Sequence, residues 1–444
     1  MTLEVLILAA RNLTIPEALA VGRRLGDREG VRVRYLDARL VLRDCLTSPA
    51  RTNADRAPRL IDRIRELLLR SSFTRALLLL RGLLADRARL RRMLTDAAPD
   101  AVVIYDDRRA RPDLVLRQVA RDHGIPVVMV PFAVSSIEAD ILMRRENALL
   151  RLDARSSLRL KNFVSRRWPG QVARDGCRAM LFFEPLETCA LALLGLLPAR
   201  PWVIGGSDPD MICALGIDHC DYLLAGGVAP ERIGITGQPS LDSVGRICPS
   251  VLRAKLQARY SLDPQAPTVL CAVPQYGEHR MATWERHWQL TEELFSTLTG
   301  SGATVLLSLH PKSLQSDYTH VATRHGLTII DERLNEVLPA VDLLVAGFSS
   351  TVRWAIGLGI PAFIVDAVGT EYGLYSDLPG VTIMPNHQSL AEKLRHFLND
   401  HEARARHIAA AKEGASRVGR LDGQASERVA RTILQAAAAR PARG

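Results

Sequence analysis

The sequence lacks most of the signatures that assign an enzyme at sight. Its 444 residues hold no Walker A loop, no Gly-x-Gly-x-x-Gly after the first strand-like run, and no Gly-x-Ser-x-Gly elbow. They hold no His-Glu-x-x-His and no calcium-loop pattern either. These absences argue against a P-loop kinase, a dehydrogenase, an α/β-hydrolase and a zinc protease. Cysteine is sparse and unpatterned: seven residues, at 45, 177, 189, 213, 220, 248 and 271, with no Cys-x-x-Cys. An odd, scattered set fits reduced thiols rather than a disulfide framework or a zinc centre. His219 between Cys213 and Cys220 is too little to expect a metal. No apolar run nears the ~20 residues of a membrane span. The longest, Cys189 to Leu197, stops at Pro198. Met1-Thr2-Leu3-Glu4 leads straight into an apolar run without a basic region, so a cytoplasmic location is expected. Lysine is scarce: five of the 58 basic residues, the others being arginine, in a chain of net charge +10. With no basic tail and no aromatic-interleaved basic stripe, nucleic acid is not an expected partner. An anionic substrate, or peripheral contact with the anionic inner face of a membrane, accounts for the charge.

What is present is an alternation of strand and helix. Val5 to Ala10 is a continuous apolar run, the pattern of a parallel strand buried on both faces, and Glu17 to Leu25 follows at helical spacing. Val31 to Tyr35, Ala101 to Tyr105 and Val127 to Val130 read as further strands. Between them, residues 55–95 carry leucines at helical intervals with arginines on the polar face. This is either a helical insertion packed on the first half or a membrane-surface contact. Short strands are expected at Trp202 to Gly206 and at Tyr222 to Leu224. The second half offers strands at Thr268 to Val273, Thr304 to Leu309, Leu327 to Ile330, Leu343 to Val345 and Ala362 to Val365. The unit His123-Gly124-Ile125-Pro126 before a strand recurs as Leu358-Gly359-Ile360-Pro361. Glycine suits a helix C-cap and proline prevents further helix, so both halves are expected to be wound alike. The expected fold class is α/β, with two Rossmann-like, doubly wound parallel-sheet domains. Their expected bounds are 1–245 and 267–444, joined by a linker at 246–266.

Ligands of such sheets sit beyond the carboxyl ends of the strands, which selects the candidate residues. His310-Pro311-Lys312 leaves one strand: a histidine for acid–base work or phosphate binding, a fixed turn, and a cation; the alternative is a capping histidine. Gly347-Phe348-Ser349-Ser350-Thr351 leaves another, where hydroxyls and free N–H groups suit a phosphate or simply cap a helix. Gln275, Tyr276, Gly277 and Glu278 follow the first strand of the second half, and Asp366 and Glu371 follow a later one. They are candidate pyrophosphate, ribose or sugar contacts. In the first half, Asn12, Asp106, Asp107 and Ser207 stand at strand ends on the expected acceptor side. Asp107 is the candidate base for an acceptor hydroxyl, against the plainer reading of a solvated loop.

Three motifs carry a resemblance. Ile235-Thr236-Gly237-Gln238-Pro239, with Asp242 close behind, resembles the segment closing the first domain of CDP-glycerol glycerophosphotransferases and UDP-N-acetylglucosamine 2-epimerases. His310-Pro311 and Ser349-Ser350-Thr351 resemble the His-Pro and serine motifs of bacterial sialyl-, polysialyl- and Kdo-type transferases. The resemblance covers about 200–385 best. It implies the GT-B arrangement, two Rossmann-like domains facing a cleft. It also implies a glycosyltransferase that builds a surface polysaccharide, capsule or glycoconjugate. The donor would be a CMP-, CDP- or UDP-linked sugar bound by the second half, as substrate, with no cofactor and no metal. The acceptor would be a glycan or a lipid-linked molecule. An epimerase-like isomerase or hydrolase and a CDP-glycerol-type glycerophosphotransferase are the alternatives. The sequence departs from the epimerases after its serines, where Val352-Arg353-Trp354 replaces a glutamate-bearing pattern. Arg353 is a further candidate for a donor carboxylate or phosphate.

Overall fold

The computed structural model describes residues 2–9, 15–37, 71–108, 110–134, 136–142, 144–145, 147–175, 178–279, 281–310, 313–370, 373–419 and 421–439. The first half runs β1 (Leu3–Ala9), α1 (Ile15–Gly26), β2 (Val31–Asp37), α2 (Ser72–Ala97), β3 (Ala101–Ile104), α3 (Val115–Asp122) and β4 (Val127–Met129). It continues with α4 (Ile137–Leu142), α5 (Leu158–Arg167), a hairpin of β5 (Val172–Asp175) and β6 (Arg178–Leu181), and α6 (Pro185–Leu193). It closes with β7 (Met211–Ala214), α7 (Ile217–Ala225) and β8 (Ile233–Ile235). The second half runs α8 (Pro249–Tyr260), β9 (Thr268–Ala272), α9 (Trp284–Thr299), β10 (Thr304–Ser308), α10 (Gln315–Arg324) and β11 (Thr328–Ile329). Then come α11 (Leu334–Val337), β12 (Leu343–Ala346), α12 (Thr351–Gly357), β13 (Ala362–Val365), β14 (Val381–Met384), α13 (His387–Asn399), α14 (His401–Val418) and α15 (Ala425–Ala438).

Each half holds a six-stranded sheet, in the orders β2-β1-β3-β4-β7-β8 and β11-β10-β9-β12-β13-β14. All pairings within both are parallel. The second order is that of the Rossmann fold, and it reverses between β9 and β12. The strands are apolar on both faces because helices cover both. In β9, Leu270 enters one core while Val269 and Cys271 enter the other. In β12, Leu344 and Ala346 alternate in the same way with Leu343 and Val345. In β1, Leu6 and Leu8 alternate with Val5 and Ile7. Burying one such side chain contributes about 1.5–3 kcal/mol, so neither face can be surrendered.

The recurring Gly-Ile-Pro unit does the same work twice. Gly124 and Gly359 take φ of +60° and +73°. The next amides close the helix ends, Ile125 N donating to Ala120 O and Ile360 N to Ala355 O, both at 2.9 Å. Glycine enters the left-handed region without strain and the proline starts the extended segment.

Two expectations change, and a third is met in its described part. The segments 202–206 and 222–224 are not strands: the first is a buried turn and the second lies in α7, while the strand is Met211–Ala214. Of the 55–95 insertion, the described part is α2, which packs on the first domain through buried Leu83, Leu90 and Leu94; residues 38–70 lie outside the described residues. Finally, α15 leaves the 267–444 unit. Val429, Ala430, Ile433 and Ala437 join Val5, Ile7, Ala101 and Val103 in the first domain's core. Asp242 receives Ala425 N and Ser426 N, both at 2.8 Å, and so caps α15 from the domain junction. Among the described residues no helix is long and apolar enough to cross a membrane.

Candidate functional site

The switch point of the second sheet brings the candidate loops together. Gly347, directly after β12, lies against Pro274, after β9: a Cβ on Gly347 would fall 3.1 Å from the Pro274 ring. Any larger residue would separate the two strand ends. From this seam a chain of polar contacts runs between the loops that follow β9 and β10. Gln275 donates to Ser313 Oγ (3.2 Å), and its Oε1 lies 3.0 Å from His279 Nε2. Ser313 also donates its hydroxyl to Glu278 Oε1 (2.9 Å) and its amide to His310 O (2.9 Å). His279 meets Phe348 edge-on, with centroids 5.6 Å apart, and Phe348 precedes the serines. The loops bearing His310, His279 and Ser349 thus form one connected wall.

Within that wall the expected residues divide. His310, Ser349, Ser350 and Thr351 are half-buried and lie along the strand ends. Ser349 Oγ accepts Thr351 N (3.3 Å) and lies 2.8 Å from Thr351 Oγ1, a local side-chain turn just before α12, whose N-cap position is Ser350. Others turn inward. Tyr276 is 2 % exposed and donates to Val365 O (3.3 Å); burial holds its phenol well above the usual range. Glu278 Oε1 accepts both Ser313 and Tyr318 (3.0 Å), and Asp366 accepts the amide and hydroxyl of Thr370 (2.7 and 2.8 Å). Gly277 gives room to the Trp284 ring, which would stand 2.7 Å from a Cβ. Pro311, Lys312 and Glu371 lie outside the described residues. His279 closes the Pro274–His279 segment that the sequence reading singled out after the first strand of the second half, whereas Ser313 escaped that reading.

The first domain presents a different picture. Asp107 is fully buried, and its carboxylate receives Gly205 N (2.9 Å), Ser207 N (2.9 Å) and Ser207 Oγ (2.7 Å). The structure therefore makes it a clamp on the 205–207 loop, and Ser207 its partner, rather than a base open to an acceptor hydroxyl. Asp106 accepts Arg108 N (2.9 Å). Asn12 lies outside the described residues. Arg353 does not face a donor: it is 6 % exposed and pairs with Asp218 of the first domain while donating to Val418 O (2.8 Å).

The junction holds a second inter-domain link. Gln238 donates to Glu17 Oε1 (2.9 Å) and accepts Trp354 Nε1 (3.0 Å). Ser240 gives Glu17 its amide (2.8 Å) and hydroxyl (2.5 Å). Burial outweighs these bonds and pushes the Glu17 carboxyl up to about 6. The Gln-Pro motif near the end of the first half is thus a connector between domains.

Two doubly wound domains with polar strand ends meeting at a switch point define a GT-B-like protein, and the chain is an enzyme of the transferase class. Residues 227–435 match the family of CDP-glycerol:poly(glycerophosphate) glycerophosphotransferases. Among solved structures, the chain is similar to the UDP-GlcNAc 2-epimerase of Neisseria meningitidis bound to UDP-GlcNAc, at 11% identity and TM-score 0.54, over 98% of this chain and 100% of that one. It is similar to the S. aureus MnaA–UDP complex at 12% identity and TM-score 0.54, over 99% of each chain. A UDP-N-acetylglucosamine 2-epimerase from Listeria monocytogenes aligns at 12% identity and TM-score 0.52, over 97% of this chain and 95% of that one. No curated protein sequence matches.

Proposed function

We propose that the chain transfers a phosphate-linked polyol from a CDP-activated donor to a surface-polymer acceptor, with the donor held by the second domain. The observation that carries this is the connected wall of His310, Ser313, Gln275, His279 and Ser349 at the β9/β12 switch point, inside the segment that matches the glycerophosphotransferases. Ser349, Ser350 and Thr351, with the amides around them, offer uncharged donors to the diphosphate. Pro311 and Lys312 follow His310 in the sequence, and the reading assigns the lysine's charge to the diphosphate. His310, neutral, takes the proton of the acceptor hydroxyl as that oxygen attacks the polyol's phosphorus. The bond from that phosphorus to the cytidylate oxygen breaks, and CMP departs with the electron pair. The donor is a substrate, and the reading calls for no cofactor. A polymer assembled at a membrane would bring the acceptor as a lipid-linked chain.

The motif resemblance keeps a second reading in play, glycosyl transfer from a CMP- or UDP-linked sugar to a glycan. There the bond at the anomeric carbon breaks instead. Products separate the two. With CDP-glycerol and a lipid-linked glycerophosphate acceptor, acceptor-dependent release of CMP is expected. Release of UDP from a UDP-sugar in its place would favour glycosyl transfer. Conversion of UDP-N-acetylglucosamine at enzymatic rates without any acceptor would overturn transfer altogether.

A further inference from the structure

One surface of the first domain lies outside the residues assigned to the transfer. Helix α5 is fastened along one side. Lys161 is fully buried, and its ammonium donates to the carbonyls of Ala148 (2.6 Å), Arg151 (2.6 Å) and Ala154 (3.1 Å). Val164, three residues on, is wholly within the domain core. The helix cannot roll, so its other side is held outward. That side presents Phe163, 54% exposed, with Arg159 four residues before it and Arg166 and Arg167 three and four after, all exposed. At helical spacing these three arginines surround the ring. Trp168 follows, edge-on to Phe163 with centroids 5.8 Å apart and with the Arg167 guanidinium 5.4 Å from its ring centre. Leu158 is also exposed, and the helix contains no aspartate or glutamate.

We propose that this face docks the enzyme on an anionic phospholipid surface. A merely solvated basic face has no reason to hold a phenylalanine at its centre. An aromatic ring enters the boundary between headgroups and acyl chains. Arginines around it keep their apolar stems against the ring and their heads on lipid phosphates. With Asn162, the ring and the three arginines line a cavity of about 570 Å³ that opens to solvent, room for phospholipid headgroups against the arginines. The inference does not rest on which group is transferred. It puts the membrane contact on a helix other than the 55–95 segment, for which such contact was one of two readings.

The test uses the full chain and sedimentation with phosphatidylcholine vesicles, with and without phosphatidylglycerol. Each basic residue near an anionic leaflet contributes about fivefold in partitioning. The variant Arg159→Gln/Arg166→Gln/Arg167→Gln is expected to weaken binding to the phosphatidylglycerol vesicles on the order of a hundredfold. Phe163→Ser is expected to weaken it about tenfold while leaving the salt dependence unchanged. Arg395→Gln/Arg406→Gln/Arg431→Gln changes the net charge equally at other exposed positions and is expected to stay within about twofold of wild type. All sites are exposed, and unchanged melting temperatures verify folding. Three results would overturn the proposal: equal binding of wild type to both vesicle types; equal losses in the two arginine sets; or a duplex oligonucleotide bound more tightly than vesicles through the same arginines.

Discussion

The two sheets are built alike, yet their carboxyl ends are finished in opposite ways. In the first domain an ion-pair cluster ties the described loops after β3 and β4, where Asp140 receives both Arg108 (2.5 Å) and Arg144 (2.9 Å), while Asp107 is consumed by amides and a hydroxyl of the 205–207 loop. In the second domain the loops are tied mainly by neutral groups, and the carboxylates Glu278 and Asp366 are turned onto hydroxyls and an amide of the protein itself. Ion pairs fix a loop but leave few donors for a ligand. A seam tied mainly by uncharged donors keeps the loops in register, with the Glu278 and Asp366 carboxylates engaged by hydroxyls and an amide. The lesson is that the order of strands gives where a ligand can sit, and the charge economy of the loops gives which sheet holds it.

The sharpest way to break this contrast is to remove one group from each side. His310→Ala is expected to lower the transfer rate by roughly 10²–10⁴ with an unchanged melting temperature. A variant of near wild-type activity, measured with saturating donor and acceptor, would reduce His310 to a capping residue. Asp107→Ala is expected to destabilise the fold by about 3–5 kcal/mol in urea titration, because buried amides and a hydroxyl lose their acceptor. A change below about 1 kcal/mol, accompanied by a hundredfold loss of activity, would return it to the acceptor chemistry.

A smaller effect probes the junction. Glu17 is fully buried with its pKa raised from 4.5 to about 6. Between those pH values the folded chain binds more protons than the unfolded one, so stability falls as pH rises through the window. The loss attributable to this residue is about 2 kcal/mol, complete above the folded pKa. Glu17→Gln is expected to flatten the slope between pH 4.5 and 6 in urea titrations, whatever its constant offset. A slope identical to wild type would mean another group titrates there. Smallest is Ser349→Ala. It loses a local hydroxyl–amide hydrogen bond of about 0.5–1.5 kcal/mol and is expected to raise the KM for donor more than it lowers kcat.

Much of the fold was legible because buried parallel strands are continuous apolar runs, as in Val5 to Ala9 and Thr268 to Ala272. The misread strands were runs too short to carry a period. Trp202 to Gly206 is apolar because the turn is buried, and Tyr222 to Leu224 because one side of α7 is. The position of α15 was invisible, since a helix pattern does not say which sheet it covers. At the site, the strand-end rule selected residues 275–279 and 347–351, loops that the structure brings together at the β9/β12 switch point. It could not distinguish a side chain that faces the crevice from one, like Tyr276 or Glu278, turned to hold the loop. Arg353 misled for the same reason: its partner, Asp218, lies 135 residues away in the other domain.

The most direct measurement is calorimetric titration of the intact protein with CDP, repeated on Ser349→Ala and on Asp107→Asn. The expected result is CDP binding that weakens with Ser349→Ala and persists with Asp107→Asn in the folded fraction. Nucleotide affinity untouched by Ser349→Ala but abolished in folded Asp107→Asn would place the ligand on the first sheet and contradict the account.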